Sequence, residues 1–218
     1  MSSTDITVPV EITPQGLPGL LGVPPQARGV VVFAHGSGSG RFSPRNQHVA
    51  AALHASGFAT LLLDLLTPAE ERDRANVFDI PLLADRIGAA CRWLAGRVDT
   101  ADLAQGLFGA STGGGAALLA ASREGNTVQA VVSRGGRPDL AGPEALAEVI
   151  APTLLIVGSD DRDVVLLNEE AYGQLGCAKK LVLVPGAGHL VEEPGTLDEV
   201  VRHAADWFER YLAPPATA

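Results

Sequence analysis

"GLFGASTGGGAAL", residues 106–118, decides how the rest of the chain is read. An apolar run ends at Gly109, one hydroxyl follows at Ser111, and Gly113, Gly114 and Gly115 come next, ahead of an alanine-rich stretch. Gly109-Ala110-Ser111-Thr112-Gly113 fits the pattern G-x-S-x-G between a strand and a helix. In that setting a sharp turn strains the serine backbone and lifts Oγ above the sheet. Small residues two before and two after are needed because strand and helix close on each other there. The helix N-terminus adds backbone N–H groups and the positive end of its dipole. The competing reading makes Ser111 only the N-cap of a glycine-rich helix. The strand–turn–helix context favours a nucleophile.

Working outward, short apolar runs alternate with amphipathic stretches. Residues 29–35, 58–64, 103–109, 128–133, 152–158 and 180–186 are near-continuous in apolar residues, as strands covered on both faces are. Helical spacing occupies 45–57, 79–97, 112–124, 142–149, 166–175 and 196–212. This alternation predicts an α/β fold, with a mainly parallel central sheet and helices on both faces. The first 25 residues are expected to form antiparallel edge strands, and 213–218 a frayed tail. With no linker in view, 1–218 reads as a single domain. Functional residues of such sheets gather beyond the carboxyl ends of the strands.

A serine nucleophile needs a base. Among the five histidines, His35 and His189 fall on such loops. His189, in "VPGAGHLVEEPG" among small neighbours, is the candidate base; His35 is expected to pack as a ring shaping its loop. The base in turn needs a carboxylate. "VGSDDRDVV" offers Asp160, Asp161 and Asp163. Asp161 is chosen, because Gly158 can turn the chain and a helix can start near Val164; Asp160 is the rival. Two N–H donors should face the developing oxyanion, those of Thr112 and of Ser37 in "HGSGSG".

The formal net charge of −9 gives no electrostatic footprint for nucleic acid or an anionic membrane. Cys91 and Cys177 have no metal-ligand spacing, and no metal or cofactor is expected. The N-terminus lacks a basic and then apolar leader, and no stretch is long enough to span a bilayer. A reduced, cytoplasmic protein is the expectation. Its partner is expected to be a small-molecule ester, and its oligomeric state is left open.

These residues resemble the dienelactone-hydrolase-like branch of the α/β-hydrolase superfamily. The resemblance rests on "VVFAHGSGSGRFSPRN", "LLLDLLTPAEE", "FDIPLLADR", "GLFGASTGGGAAL", "VVSRGGRPDLAGP", "TLLIVGSDDRDVVLLN" and "VPGAGHLVEEPG", and covers nearly the whole chain. It implies an α/β-hydrolase fold, with Ser111, Asp161 and His189 as a triad and Ser37 and Thr112 as the oxyanion hole. Some members of the subgroup it looks like are fused to phosphoribosyltransferase domains, and none is expected within these 218 residues. Dienelactone hydrolases proper use a cysteine nucleophile. Serine at 111 points instead to ordinary carboxylic esters.

The connection from about Arg134 to Ala151 is too short for a helical cap, so an open site taking small or short acyl groups is expected. Arg41, Arg45 and Arg134 are candidates for binding a substrate anion, with Arg137 beside them; pairing with Asp64, Glu70, Glu71 or Asp139 is the structural alternative. Two other functions compete. One is a non-catalytic binding protein of the same fold. The other is a dinucleotide-binding oxidoreductase using the glycine loop at 36–40 and Asp64. G-x-G-x-x-G fails there, because Arg41 and Ser43 stand where the third glycine is required.

Overall fold

Strand β3 (Val30–Ala34) is buried at all five positions, and its neighbours explain why. Val30, Val32 and Ala34 face one apolar layer, while Val31 and Phe33 face the other. A strand alternates its side chains between faces, so a run with no polar position must be covered twice. In the computed structural model, which describes residues 7–212, β4 (Ala59–Leu63), β5 (Gln105–Ala110) and β7 (Thr153–Gly158) are buried throughout in the same way. The expected tail 213–218 lies outside the described residues, as do residues 1–6 of the expected edge ribbon.

The sheet has eight strands. With β1 (Thr7–Ile12), β2 (Leu17–Gly22), β6 (Val128–Arg134) and β8 (Lys179–Val184), the order is β1-β2-β4-β3-β5-β6-β7-β8. β3 through β8 run parallel, and β1 and β2 attach antiparallel at one edge. Helices α1 (Pro44–Ala55) and α7 (Thr196–Tyr211) cover one face with Leu53, Val200, Ala204 and Phe208. Helix α3 (Ile80–Ala95) and α4 (Thr112–Glu124) cover the other. Phe33 and Phe108 pack ring to ring, centroids 5.0 Å apart, in the layer under α1 and α7. Burying each such ring stabilises the fold by roughly 1.5–3 kcal/mol. This is the α/β-hydrolase architecture.

The connection from β6 to β7 holds one 3₁₀ turn (Pro138–Ala141) and α5 (Pro143–Glu148). Helix α6 (Arg162–Gln174) starts four residues before the expected 166, because Asp161 already occupies its N-cap position. Residues 67–77 contain structure the apolar periodicity did not predict. Thr67 and Glu70 form a reciprocal capping box, with Thr67 N to Glu70 Oε2 at 2.8 Å and Glu70 N to Thr67 Oγ1 at 3.3 Å. A 3₁₀ turn (Glu70–Arg72) and the short α2 (Arg74–Val77) follow. Cys91 and Cys177 are both free, and burial pushes the Cys91 thiol up to about 12. Among the described residues no helix is long and apolar enough to cross a membrane.

Three consecutive glycines open α4, where each costs up to about 1 kcal/mol against alanine in intrinsic propensity. Contact explains the exchange. A Cβ at Gly113 would sit 2.2 Å from the Ala34 carbonyl oxygen and 2.5 Å from that of His35. Gly173 in α6 has nothing within 4 Å of its Cβ position. Gly113→Ala should therefore lower the unfolding free energy by about 1–3 kcal/mol although alanine is the better helix former. Gly173→Ala should raise it by about 0.5–1 kcal/mol. Urea titrations of both variants check this; equal shifts would contradict the packing argument.

Candidate active site

The turn between β5 and α4 holds Ser111 at φ 51°, ψ −124°, a conformation costly for any residue but glycine. Its backbone is over-determined. Ser111 N donates to Arg134 O at 3.3 Å, and Ser111 O accepts from Gly114 N at 2.9 Å and Arg137 N at 3.0 Å. Ser111 occupies the N-cap position of α4, yet its side chain caps nothing. Oγ instead faces His189 Nε2 at 3.3 Å. The N-cap alternative therefore does not describe this hydroxyl.

His189 sits on the loop after β8. Its Nδ1 donates to Asp161 Oδ2 at 2.6 Å, which fixes the tautomer with Nε2 free to accept from Ser111. Asp161 is likewise an N-cap residue with no capping bond. The neighbouring Asp160 turns away and accepts from Ser159 Oγ at 3.1 Å. The two loops are stitched together: Asp160 N donates to Ala187 O at 3.0 Å and Gly186 N to Ser159 Oγ at 2.8 Å. Glu193 accepts from Gly188 N, and backbone hydrogen bonds hold its carboxyl below the usual carboxylate range.

His35 is buried and bridges two loops. Nδ1 donates to Gly36 O at 2.9 Å, and Nε2 accepts from Leu65 N at 3.1 Å. Ser37 and Thr112 lie together, but in an arrangement that residue types alone did not suggest. Ser37 N–H donates to Thr112 Oγ1 at 3.0 Å, so a side-chain oxygen occupies the direction in which this N–H points.

The arginines separate. Arg41 is taken by Asp64, through its backbone N–H at 2.7 Å and through its guanidinium, and it stacks over Phe42. It is not brought to Ser111, and Asp64 is not free to receive a ribose. Arg137 grips Asp139 with two hydrogen bonds of 2.9 and 2.7 Å. Arg45 pairs with Glu192. Arg45 and Arg134 both line the cavity of about 240 Å³ that Ser111 and His189 share. Asn46, also in that lining, went unnoticed in the sequence, where a polar residue in the first turn of a helix carries no distinguishing signal. Glu192, three residues after His189, carries no sequence signal for its role as the partner of Arg45. On the far side of the Gly36–Ser39 loop a second cavity, of about 340 Å³, has an apolar floor of Leu66, Val77 and Leu83. Among the described residues no His, Cys, Asp and Glu cluster could hold a metal.

No protein-family model matches the chain. Two curated proteins from Mycobacterium tuberculosis strains CDC 1551 / Oshkosh and ATCC 25618 / H37Rv, each named "Putative phosphoribosyl transferase", are 57% identical to it over 211 residues. That alignment covers 97% of this chain and 47% of theirs, so the chain spans about half the length of these relatives. Est1E from Butyrivibrio proteoclasticus, at 16% identity and a TM-score of 0.79 over 94% of this chain and 98% of its own, shares the fold. A dienelactone hydrolase from Anabaena variabilis ATCC 29413 is 55% identical, with a TM-score of 0.91 over 95% of this chain and 97% of its own. Identity at that level across both chains joins sequence to architecture, and the protein belongs to the dienelactone hydrolase family of α/β-hydrolases.

Proposed function

We propose that the protein is a serine hydrolase that cleaves small or short-acyl carboxylic esters through an acyl-enzyme. The observation that carries this reading is the hydrogen-bonded line from Ser111 Oγ through His189 to Asp161, at 3.3 and 2.6 Å. His189 Nε2 takes the Ser111 proton as Oγ bonds to the ester carbonyl carbon. The tetrahedral intermediate collapses, the bond from carbon to the alcohol oxygen breaks, and the departing oxygen receives the proton from His189 Nε2. Water, activated by the same nitrogen, then releases the acid and restores Ser111. Asp161 holds the ring in the working tautomer and stabilises its cationic form.

The oxyanion meets the Thr112 N–H at the start of α4 and the Ser37 N–H. The Ser37 N–H exchanges its Thr112 Oγ1 acceptor for the substrate oxygen, which carries more charge and so makes the stronger bond. A non-catalytic binder would not need Ser111 in a costly backbone conformation with its hydroxyl aimed at an imidazole. The curated relatives' name implies transfer of a phosphoribosyl group, and the serine line offers no chemistry for that step.

A fluorophosphonate should label Ser111, located by peptide mass spectrometry, and Ser111→Ala should lower kcat on an activated ester by about 10⁴-fold or more. Labelling elsewhere, or undiminished turnover, would overturn the mechanism.

Asp161→Asn should lower kcat by orders of magnitude while Asp160→Asn leaves it within a few-fold, both with unchanged circular dichroism. The reverse order would move the carboxylate role to Asp160.

Chain-length preference follows from the short β6–β7 connection, which supplies no apolar wall over the site. Each methylene left unburied forgoes about 0.8 kcal/mol. Values of kcat/KM for p-nitrophenyl esters should peak at short acyl chains; a steady rise to dodecanoate would reveal a long acyl channel.

A further inference from the structure

Eight arginines of the described chain each face a carboxylate, namely those at 28, 41, 45, 86, 92, 97, 123 and 137. Arg134, at the carboxyl end of β6, does not, although it is only 6% exposed. Its Nη1 reaches the Leu190 carbonyl and its Nη2 the Asn46 side-chain oxygen, both at a long 3.4 Å. Its Nε is buried without a partner. Burial, with the charge of Arg45 second, lowers its pKa to about 10, so it stays protonated at neutral pH. A buried cation with two weak neutral contacts is an unfinished pairing. The cavity beside it contains Arg45 as well and has no acid in its lining. The chain around it is acidic overall, which makes a carboxylate-free arginine beside Ser111 harder to assign to general solubility.

The same cavity is lined by Ser111 and His189. In the mechanism above, His189 Nε2 hands its proton to the departing alcohol oxygen, so the alcohol half of the ester must lie against that ring.

We propose that Arg134, supported by Arg45, binds an oxyanion on the alcohol half of the substrate, so that the protein selects short acyl esters of hydroxy acids or of phosphorylated alcohols. This rests on the serine-hydrolase reading. Arg134 exchanges its two long neutral contacts for charge-assisted bonds. Arg45 stays paired with Glu192 and lines the same cavity. Arg134 is here a specificity residue and takes no part in the proton transfers.

The test compares three acetate esters of similar size by pH-stat: acetoxyacetate, 2-acetoxyethyl phosphate and the neutral acetoxyacetamide. The wild-type protein should turn over at least one anionic ester with kcat/KM about 10- to 100-fold above the neutral one, mainly through KM. The better of the two anions identifies the source of the charge, carboxylate or phosphate. Arg134→Met should bring the anionic-to-neutral ratio close to one, and Arg134→Lys should retain part of it. A purely structural role for Arg134 would move all three rates together and leave the ratio intact, which would overturn the proposal. If Arg134→Met fails to fold, the wild-type ratio decides alone: a value near or below one overturns it. Hydrolysis of the neutral ester without anion preference defeats this inference and spares the serine mechanism; no hydrolysis of any of the three by a protein that also ignores the fluorophosphonate defeats both.

Discussion

The structure turns on the crossing of α4 over the carboxyl ends of β3 and β5. No side chain fits between them: a Cβ at Gly109 would lie 2.5 Å from the Gly113 carbonyl oxygen, and one at Gly113 would lie 2.2 Å from that of Ala34. With both positions bare, the chain turns within one residue from strand to helix, and that residue is Ser111 at φ 51°. Strain of this kind costs on the order of 1–3 kcal/mol. It persists because three main-chain hydrogen bonds to Arg134, Gly114 and Arg137 leave the backbone no alternative. The same geometry keeps the hydroxyl from capping its own helix, which is what leaves it available to His189.

A second close approach sets the partner groups. A Cβ at Gly158 would meet the Ala187 carbonyl oxygen at 2.2 Å, so the loops after β7 and β8 run in direct contact. Backbone and serine hydrogen bonds between them hold Asp161 and His189, 28 residues apart, at 2.6 Å. His35 does the same for the loops after β3 and β4, as donor to Gly36 and acceptor from Leu65. Groups held by such contacts need little reorganisation as charge develops, and that is where electrostatic stabilisation is most effective. The site thus depends on four loops, each pinned to a neighbour by main-chain bonds or a buried ring.

Much of this was legible in order along the chain. The uniformly apolar runs such as "GVVVFAH" mark strands covered on both faces, and the structure places Val30–Ala34 so. Gly109-x-Ser111-x-Gly113 is readable because sterics at a strand-to-helix turn admit few residue types; position 161 rests on Gly158 turning the chain ahead of a helix expected near Val164, which in the structure begins at Arg162. The capping box at Thr67 and Glu70 is a local signal too, but it carries no apolar period to mark it.

Pairings between distant side chains belong to the tertiary structure alone. The sequence places Arg41, Arg45, Arg134 and Arg137 on neighbouring loops and cannot distinguish them, since every arginine is long, charged and free to turn. The fold separates them by supplying Asp64 to the first, Glu192 to the second and Asp139 to the fourth, and by burying Arg134 beside Ser111 with no acid in reach. The Ser37 N–H to Thr112 Oγ1 bond is of the same kind, joining residues 75 apart. Periodicity and turn chemistry are local properties, and the amino-acid order determines them directly. Which charge meets which depends on where the packed sheet brings the loop ends, and only the folded chain decides that.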